Sequence, residues 1–370
     1  MIPVCRTHRL PLRLLKSERA ERMTSGLVRR LGLAALVLLL LGALLAACGG
    51  GSDESAPTLD PGLPGPYPVG VTELTFERNS TTTGEPRTLK TIIWYPADES
   101  AKKQPEDLML KGVIDAKVTK NDRPLPIIMF SHGSGGMPRQ STYYTRHLAS
   151  HGFVVVAPPH PGNTLVDCLP CTDTAALLDS FRNRPDDITF VLDALLARSA
   201  DPGSLFYNAL DADRVGMSGY SFGALDTLRL AGSDSRFAAA LAMATPGMSR
   251  IALDGIEIEI PIMMMGGGLD TIAPLEEQQQ YFDSVGTDGP PHFLLVFPRG
   301  GHFSSATVCV PVLEGCGPEA LDEDRAHELI NLYATAFFKT YLAGESGYES
   351  YLEPEAAAGN SDIEYTAVLP

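Results

Sequence analysis

Gly219-Tyr220-Ser221-Phe222-Gly223 carries the spacing G-x-S-x-G. Small residues two before and two after a serine permit a turn too sharp for bulkier Cβ atoms, and such a turn lifts the hydroxyl clear of the chain. A strand-like run, Arg214–Met217, leads in, and helical character starts at Phe222. The turn therefore sets the hydroxyl at a helix N-terminus, a favourable place for a nucleophile. Ser218 lacks the pattern, because Tyr220 stands where the second glycine would be. A serine hydroxyl is a weak nucleophile until a base takes its proton. His302 is the best base, in Arg299-Gly300-Gly301-His302-Phe303 just past the last strand-like run. His132 in a Gly-rich turn, His292 at a strand start and His327 on a helix face read as structural. An acid should hold the imidazole; in the chain order that goes with a G-x-S-x-G turn it falls between serine and histidine. Asp270 fits, in Gly266-Gly267-Gly268-Leu269-Asp270, with Pro274 opening the next helix; Asp254, Asp283 and Asp288 fall at the wrong edge or within helix and turn. The oxyanion formed by attack needs two backbone N–H groups. The candidates are Phe222, next to the serine, and Ser134 in Ser131-His132-Gly133-Ser134-Gly135-Gly136.

These groups lie far apart in the chain, so a scaffold must converge them. Val71–Arg78 and Thr88–Tyr95 alternate and read as opening strands. Pro126–Phe130 and Phe153–Ala157 are short, wholly apolar and largely β-branched, as strands buried on both faces are. Arg214–Met217, Phe237–Met243, Pro261–Met265 and His292–Phe297 follow as further strands. Helices are expected at Arg139–Ser150, Phe222–Ala231, Leu275–Val285 and Asp322–Leu342. Another is expected at Asp186–Ala197, with Pro185 and two acids at its start. Strand alternating with helix implies one α/β domain with a doubly wound, mostly parallel sheet of about eight strands, placed at residues 70–345. Residues 346–370 read as a C-terminal tail.

Several segments also carry a resemblance. Phe130–Gly136 (FSHGSGG), Leu148–Ala157 (LASHGFVVVA), Gly219–Gly223, Thr91–Pro96 (TIIWYP) and Arg184-Pro185-Asp186-Asp187 resemble bacterial relatives of platelet-activating-factor acetylhydrolase. They also resemble predicted dienelactone hydrolase-like lipoproteins and polyester-cutinase-like enzymes. The resemblance spans roughly residues 70–342. It implies an α/β-hydrolase fold and hydrolysis of small or lipid-like carboxylic esters, with no metal and no cofactor. Dienelactone hydrolases use a cysteine nucleophile, and Ser221 stands here, so that substrate does not carry over. Two other readings remain open at this stage: a noncatalytic lipoprotein that keeps the fold as a binding module, and a thioester or peptide hydrolase on the same residues.

Leu31–Ala47 is an uncharged apolar run of 17, preceded by Arg29 and Arg30 and ended by small residues. Residues 1–47 therefore read as a secretory signal, with Met23 opening a more typical one. Leu45-Ala46-Ala47-Cys48 looks like a bacterial lipobox, which implies cleavage before Cys48 and a lipid on its sulfur. That places the chain on the periplasmic or cell-surface side of a membrane. Residues 48–69, rich in Gly, Ser and Pro, read as a flexible tether. The chain has net charge −16, and the first 47 residues hold 8 basic and 2 acidic residues; the remainder carries −22. Such an acidic body disfavours nucleic acid as a partner. Cys168, Cys171, Cys309 and Cys316 are an even set behind an export signal, which points to disulfides, with local pairs favoured over a zinc site.

Overall fold

The computed structural model of the chain describes residues 60–168, 172–247, 257–307, 309 and 313–369. The signal, the alternative start at Met23, the Cys48 anchor, the first part of the tether and Cys171 lie outside these residues.

Among the described residues a ten-stranded sheet runs in the order β10-β9-β8-β7-β6-β4-β5-β2-β1-β3. A long antiparallel hairpin, β1 (Val69–Asn79) and β2 (Pro86–Pro96), pairs from Val69↔Pro96 to Asn79↔Pro86. The short β3 (Val113–Ile114) borders β1. The centre is parallel: β4 (Leu125–Ser131), β5 (Val154–Ala157), β6 (Leu210–Tyr220), β7 (Phe237–Met243), β8 (Ile262–Gly267) and β9 (His292–Phe297). The apolar runs become central strands because helices cover both faces. Ile128, Phe130, Val155 and Ala157 pack on one side with α1 (Thr142–Ser150) and α5 (Glu323–Phe338). Ile127, Met129, Val154 and Val156 pack on the other with Ile188, Val191, Leu192 and Leu195 of α2 (Thr174–Ser199). Toward the far edge, α3 (Phe222–Ala231) and α4 (Leu275–Val285) bury Ala224, Leu228 and Phe282 against β7 to β9.

Three sequence expectations are corrected. First, the residues read as a tail supply β10 (Glu364–Val368), antiparallel to β9 from Glu364↔Val296 to Val368↔His292. The strand is short and only half-buried, so its hydrophobic pattern is weak. Second, Pro185 does not open a helix. It sits inside the 26-residue α2, whose N-cap is Asp173, with its carboxylate accepting from Ala175 and Ala176 N–H. Proline removes the N–H that would bond the carbonyl four residues back, at Phe181. Arg229 Nη1 donates to that carbonyl at 3.0 Å, so a partner on α3 satisfies it. Third, the tether ends before residue 69. Pro61 and Leu63 carbonyls accept from His147 and His151 Nε2 of α1 and the residue capping it, each at 2.8 Å. Tyr67 N–H donates to Ser150 O at 3.1 Å. Burial pushes both histidines down to about 4, the neighbouring ring adding to this at His147. Each is therefore a neutral N–H donor near neutral pH.

The sheet order sets where a ligand can enter. From β4 the chain moves to β5 on one side, and later returns to β6 on the other. Beyond the carboxyl ends of such a pair the connecting loops diverge and leave a crevice. The β4 and β6 ends lie side by side, with Ser131 paired to Gly219. Two strands further on, Gly267 of β8 pairs with Phe297 of β9. The four loops that carry the candidate residues therefore leave one edge of the sheet.

Candidate active site

Ser221 follows β6 with φ 54° and ψ −118°, a region that side chains other than glycine's rarely enter, at a cost of about 1–3 kcal/mol. The surroundings enforce it. Ser221 N–H donates to Met243 O at 2.8 Å. A Cβ on Gly223 would overlap the Ser131 carbonyl, and one on Gly219 would overlap the Gly223 carbonyl, so both flanking glycines are required by contact. Ser221 is the N-cap of α3, yet its side chain makes no capping bond. The hydroxyl instead meets His302, with Oγ 2.9 Å from Nε2. His302 Nδ1 lies 2.8 Å from Asp270 Oδ2. A carboxylate only accepts, so Nδ1 carries the ring proton and Nε2 presents its lone pair to the serine. The other oxygen of Asp270 accepts from Ile272 and Ala273 N–H at 2.9 and 2.7 Å, which fixes the carboxylate plane. All three groups are buried, with Ser221 8% exposed. The structure thus brings together the three residues that the sequence places 32 to 81 positions apart.

The turn after β4 lies against this site: a Cβ on Gly133 would stand 3.3 Å from that of Ser221. Gly133 O accepts from His132 Nδ1 at 2.8 Å, from Gly136 N–H at 3.1 Å and from Arg184 Nη2 at 3.3 Å. The peptide is planar, so holding that carbonyl on one side turns the Ser134 N–H to the other. Phe222 is the first residue of α3, and its N–H has no carbonyl within the helix to meet. Asn163 Oδ1 accepts from Ser134 Oγ and Gly135 N–H at 3.0 and 2.6 Å and braces the turn further.

Sequence reasoning missed what lies beneath this turn. Arg184 is fully buried and donates through Nη1 to His132 O at 2.7 Å and to Asp226 Oδ2 at 3.2 Å. Burial pulls the guanidinium below the usual arginine range, and Asp226 works against that. Burial likewise drives His132 and His160 well below the ordinary histidine range, so both are neutral. Asp187, also fully buried, accepts from Arg87 Nε and Nη2 at 3.0 and 2.7 Å and from Arg78 Nη1 at 2.6 Å. The run Arg184-Pro185-Asp186-Asp187 stood out in the sequence only by resemblance. The signal that could have found it is periodicity: Arg184 and Asp187 continue the helical stripe of Ile188, Val191 and Leu195, which faces the core.

Cys309 and Cys316 are joined in a disulfide, Cα to Cα 5.3 Å. Cys168 is also disulfide-bonded. An open cleft of about 410 Å³ starts between the Ser134 turn and the His302 loop. It is lined by Gly136, Met137, Gln140, Leu165, Phe303 and Leu313 among others.

A mostly parallel sheet flanked by helices, with a serine on the turn after one strand and an acid and a histidine beyond two later ones, defines an α/β-hydrolase. Residues 127–367 match the family model described as PET hydrolase-like, and the chain belongs to that family. Cutinase est1 of Thermobifida alba is 26% identical over 246 residues, covering 66% of this chain and 70% of that protein. A bis(hydroxyethyl) terephthalate hydrolase of Streptomyces coelicolor is 23% identical, covering 70% and 71%. Among solved structures, a ferulic acid esterase from Streptomyces cinnamoneus superposes with a TM-score of 0.62 at 22% identity, over 82% of this chain and 98% of its own. The protein is a carboxylic ester hydrolase.

Proposed function

We propose that the protein cleaves esters with an apolar or aromatic acyl group through an acyl-enzyme on Ser221. The observation that carries this reading is the unbroken line Ser221 Oγ, His302 Nε2, His302 Nδ1, Asp270 Oδ2, with separations of 2.9 and 2.8 Å across the two gaps. Ser221 Oγ attacks the ester carbonyl while Nε2 takes its proton. Asp270 holds the ring in the tautomer that can do so and stabilises the imidazolium. The N–H groups of Phe222 and Ser134 receive the oxyanion. His302 then returns its proton to the leaving alcohol, and water repeats the cycle on the acyl-enzyme. The apolar cleft beside the Ser134 turn takes the hydrophobic part of the substrate. The cutinase and bis(hydroxyethyl) terephthalate hydrolase relatives support a carboxylic ester substrate, the second of them one with an aromatic acyl group. The test is hydrolysis of p-nitrophenyl acetate and butyrate and of bis(hydroxyethyl) terephthalate, together with fluorophosphonate labelling. Turnover and a single adduct on Ser221 are expected. No turnover of any of these esters, or an adduct elsewhere, overturns the reading.

The lipobox-like run Leu45–Cys48 supports a second element, attachment to a membrane through a lipid on Cys48, outside the cytoplasm. Metabolic labelling with a fatty-acid probe should mark the wild-type chain and leave Cys48→Ser unmarked. Equal labelling of both refutes the anchor.

A further inference from the structure

We propose that Glu314 is a positioning residue for the catalytic base, a carboxylate strap between the loop that bears Asp270 and the loop that bears His302. This rests on the reading of the site given above. The acid and the base leave different strands, Asp270 after β8 and His302 after β9. One backbone bond ties the two loops just past the strands, Leu269 N–H donating to Gly300 O at 2.8 Å, and the tips beyond it need a further tie. Glu314 bridges them: Oε1 accepts from Thr271 N–H at 2.6 Å, and Oε2 accepts from His302 N–H at 2.8 Å. Thr271 adjoins the acid, and the second N–H belongs to the base itself. A single planar group therefore adds a second tie between the two backbones, beyond the Leu269–Gly300 bond and at the tips themselves, with charge-assisted bonds, which are the stronger kind.

The other end of the His302 residue is held as well. His302 O accepts from Tyr220 Oη at 2.9 Å, and Tyr220 precedes Ser221. His302 is thus pinned toward the acid by Glu314 and toward the nucleophile by Tyr220. The loop that delivers Glu314 is itself closed by the Cys309–Cys316 disulfide, seven residues apart. It lies on the His302 loop so closely that a Cβ on Gly301 would overlap Gly315, and the reverse. Gly315 adopts φ +69°, which a side chain would strain. Close packing, a left-handed glycine and a cross-link all serve to deliver one carboxylate to two N–H groups.

Glu314→Gln is nearly isosteric, but its amide can accept from only one of the two N–H groups and turns a donor on the other. Glu314→Asp is one methylene short of spanning them. Each should lower kcat on p-nitrophenyl butyrate, and the fluorophosphonate labelling rate of Ser221, on the order of 10-fold. Glu314→Ala should lower both on the order of 100-fold, as expected when a reacting group is misplaced by about 1 Å. KM should stay within about 2-fold in all three, because the strap touches no substrate. The far-downfield proton resonance of the His302–Asp270 hydrogen bond should broaden or shift in the Gln variant, a change that a purely structural carboxylate would not cause. His302→Ala is the control. If it labels as fast as wild type, the reading of the site fails; if it does not label and the Glu314 variants label at the wild-type rate, only the strap fails. An Ala variant that does not fold leaves the decision to the Gln variant: wild-type kcat and an unmoved resonance overturn the proposal.

Discussion

Ser221→Ala is expected to lower kcat on a short-chain ester by on the order of 10³-fold or more, with KM little changed. In the proposed mechanism the hydroxyl supplies the bond-forming oxygen, and it is the group that His302 Nε2 faces at 2.9 Å. His302→Ala should cost as much, because the hydroxyl keeps its proton without that ring. The double variant should be little worse than either, since the two act as one unit. Asp270→Asn should cost as much or less: it keeps the space but weakens the hold on the Nδ1 proton. Steady-state kinetics on the purified proteins decide this. A Ser221→Ala enzyme with near-wild-type turnover would sink the assignment.

The second large effect is on stability. Asp187→Ala should destabilise the fold by about 3–5 kcal/mol, the usual result of removing one partner from a buried charge cluster. Asp187 is wholly buried, and the Arg78 and Arg87 side chains beside it are 8% and 4% exposed. Without the carboxylate, two guanidinium groups stay buried with much of their compensation gone. Asp179 and Asp186, both partly exposed, hold the remaining ends of these arginines at 3.1 and 3.3 Å. They are too wet to replace the lost charge. The cluster also joins the β1–β2 hairpin to α2, so the loss should loosen the attachment of that hairpin. Urea unfolding should show a lower midpoint with an unchanged slope. A loss below about 1 kcal/mol, the level of an exposed ion pair, would show that the cluster contributes little net stability.

What the sequence makes legible follows from the range of the forces involved. The Ser221 turn is local: two glycines, a preceding strand and a following helix all lie within a few residues, so spacing alone exposes it. Asp270 and His302 come next, because each leaves a strand end through glycines. The central strands are legible as apolar runs since they are buried on both faces. Glu314 is not legible, because its partners are backbone N–H groups 12 and 43 positions away, and any surface loop offers a glutamate. Periodicity marks Arg184 as core-facing, but its partners are hidden for the same reason: they are the His132 and Gly133 carbonyls some fifty residues upstream. Pro185 misleads because the local rule for proline is sound and a distant arginine overrides it. β10 escapes because half-burial gives it little pattern.

That last strand has a consequence for how the molecule keeps to itself. The β9 strand beside it is buried along its whole length, HFLLVF. With residues 364–368 in place, the sheet ends on a five-residue strand with charged Glu364 and partly exposed positions, a poor template for a neighbouring molecule. A chain cut back to residue 345 would instead uncover an apolar strand with a row of unpaired N–H and C=O groups. Such an edge is a template for a strand from another molecule, so residues 364–368, far in sequence from Ser221, shield the β9 edge from edge-to-edge pairing.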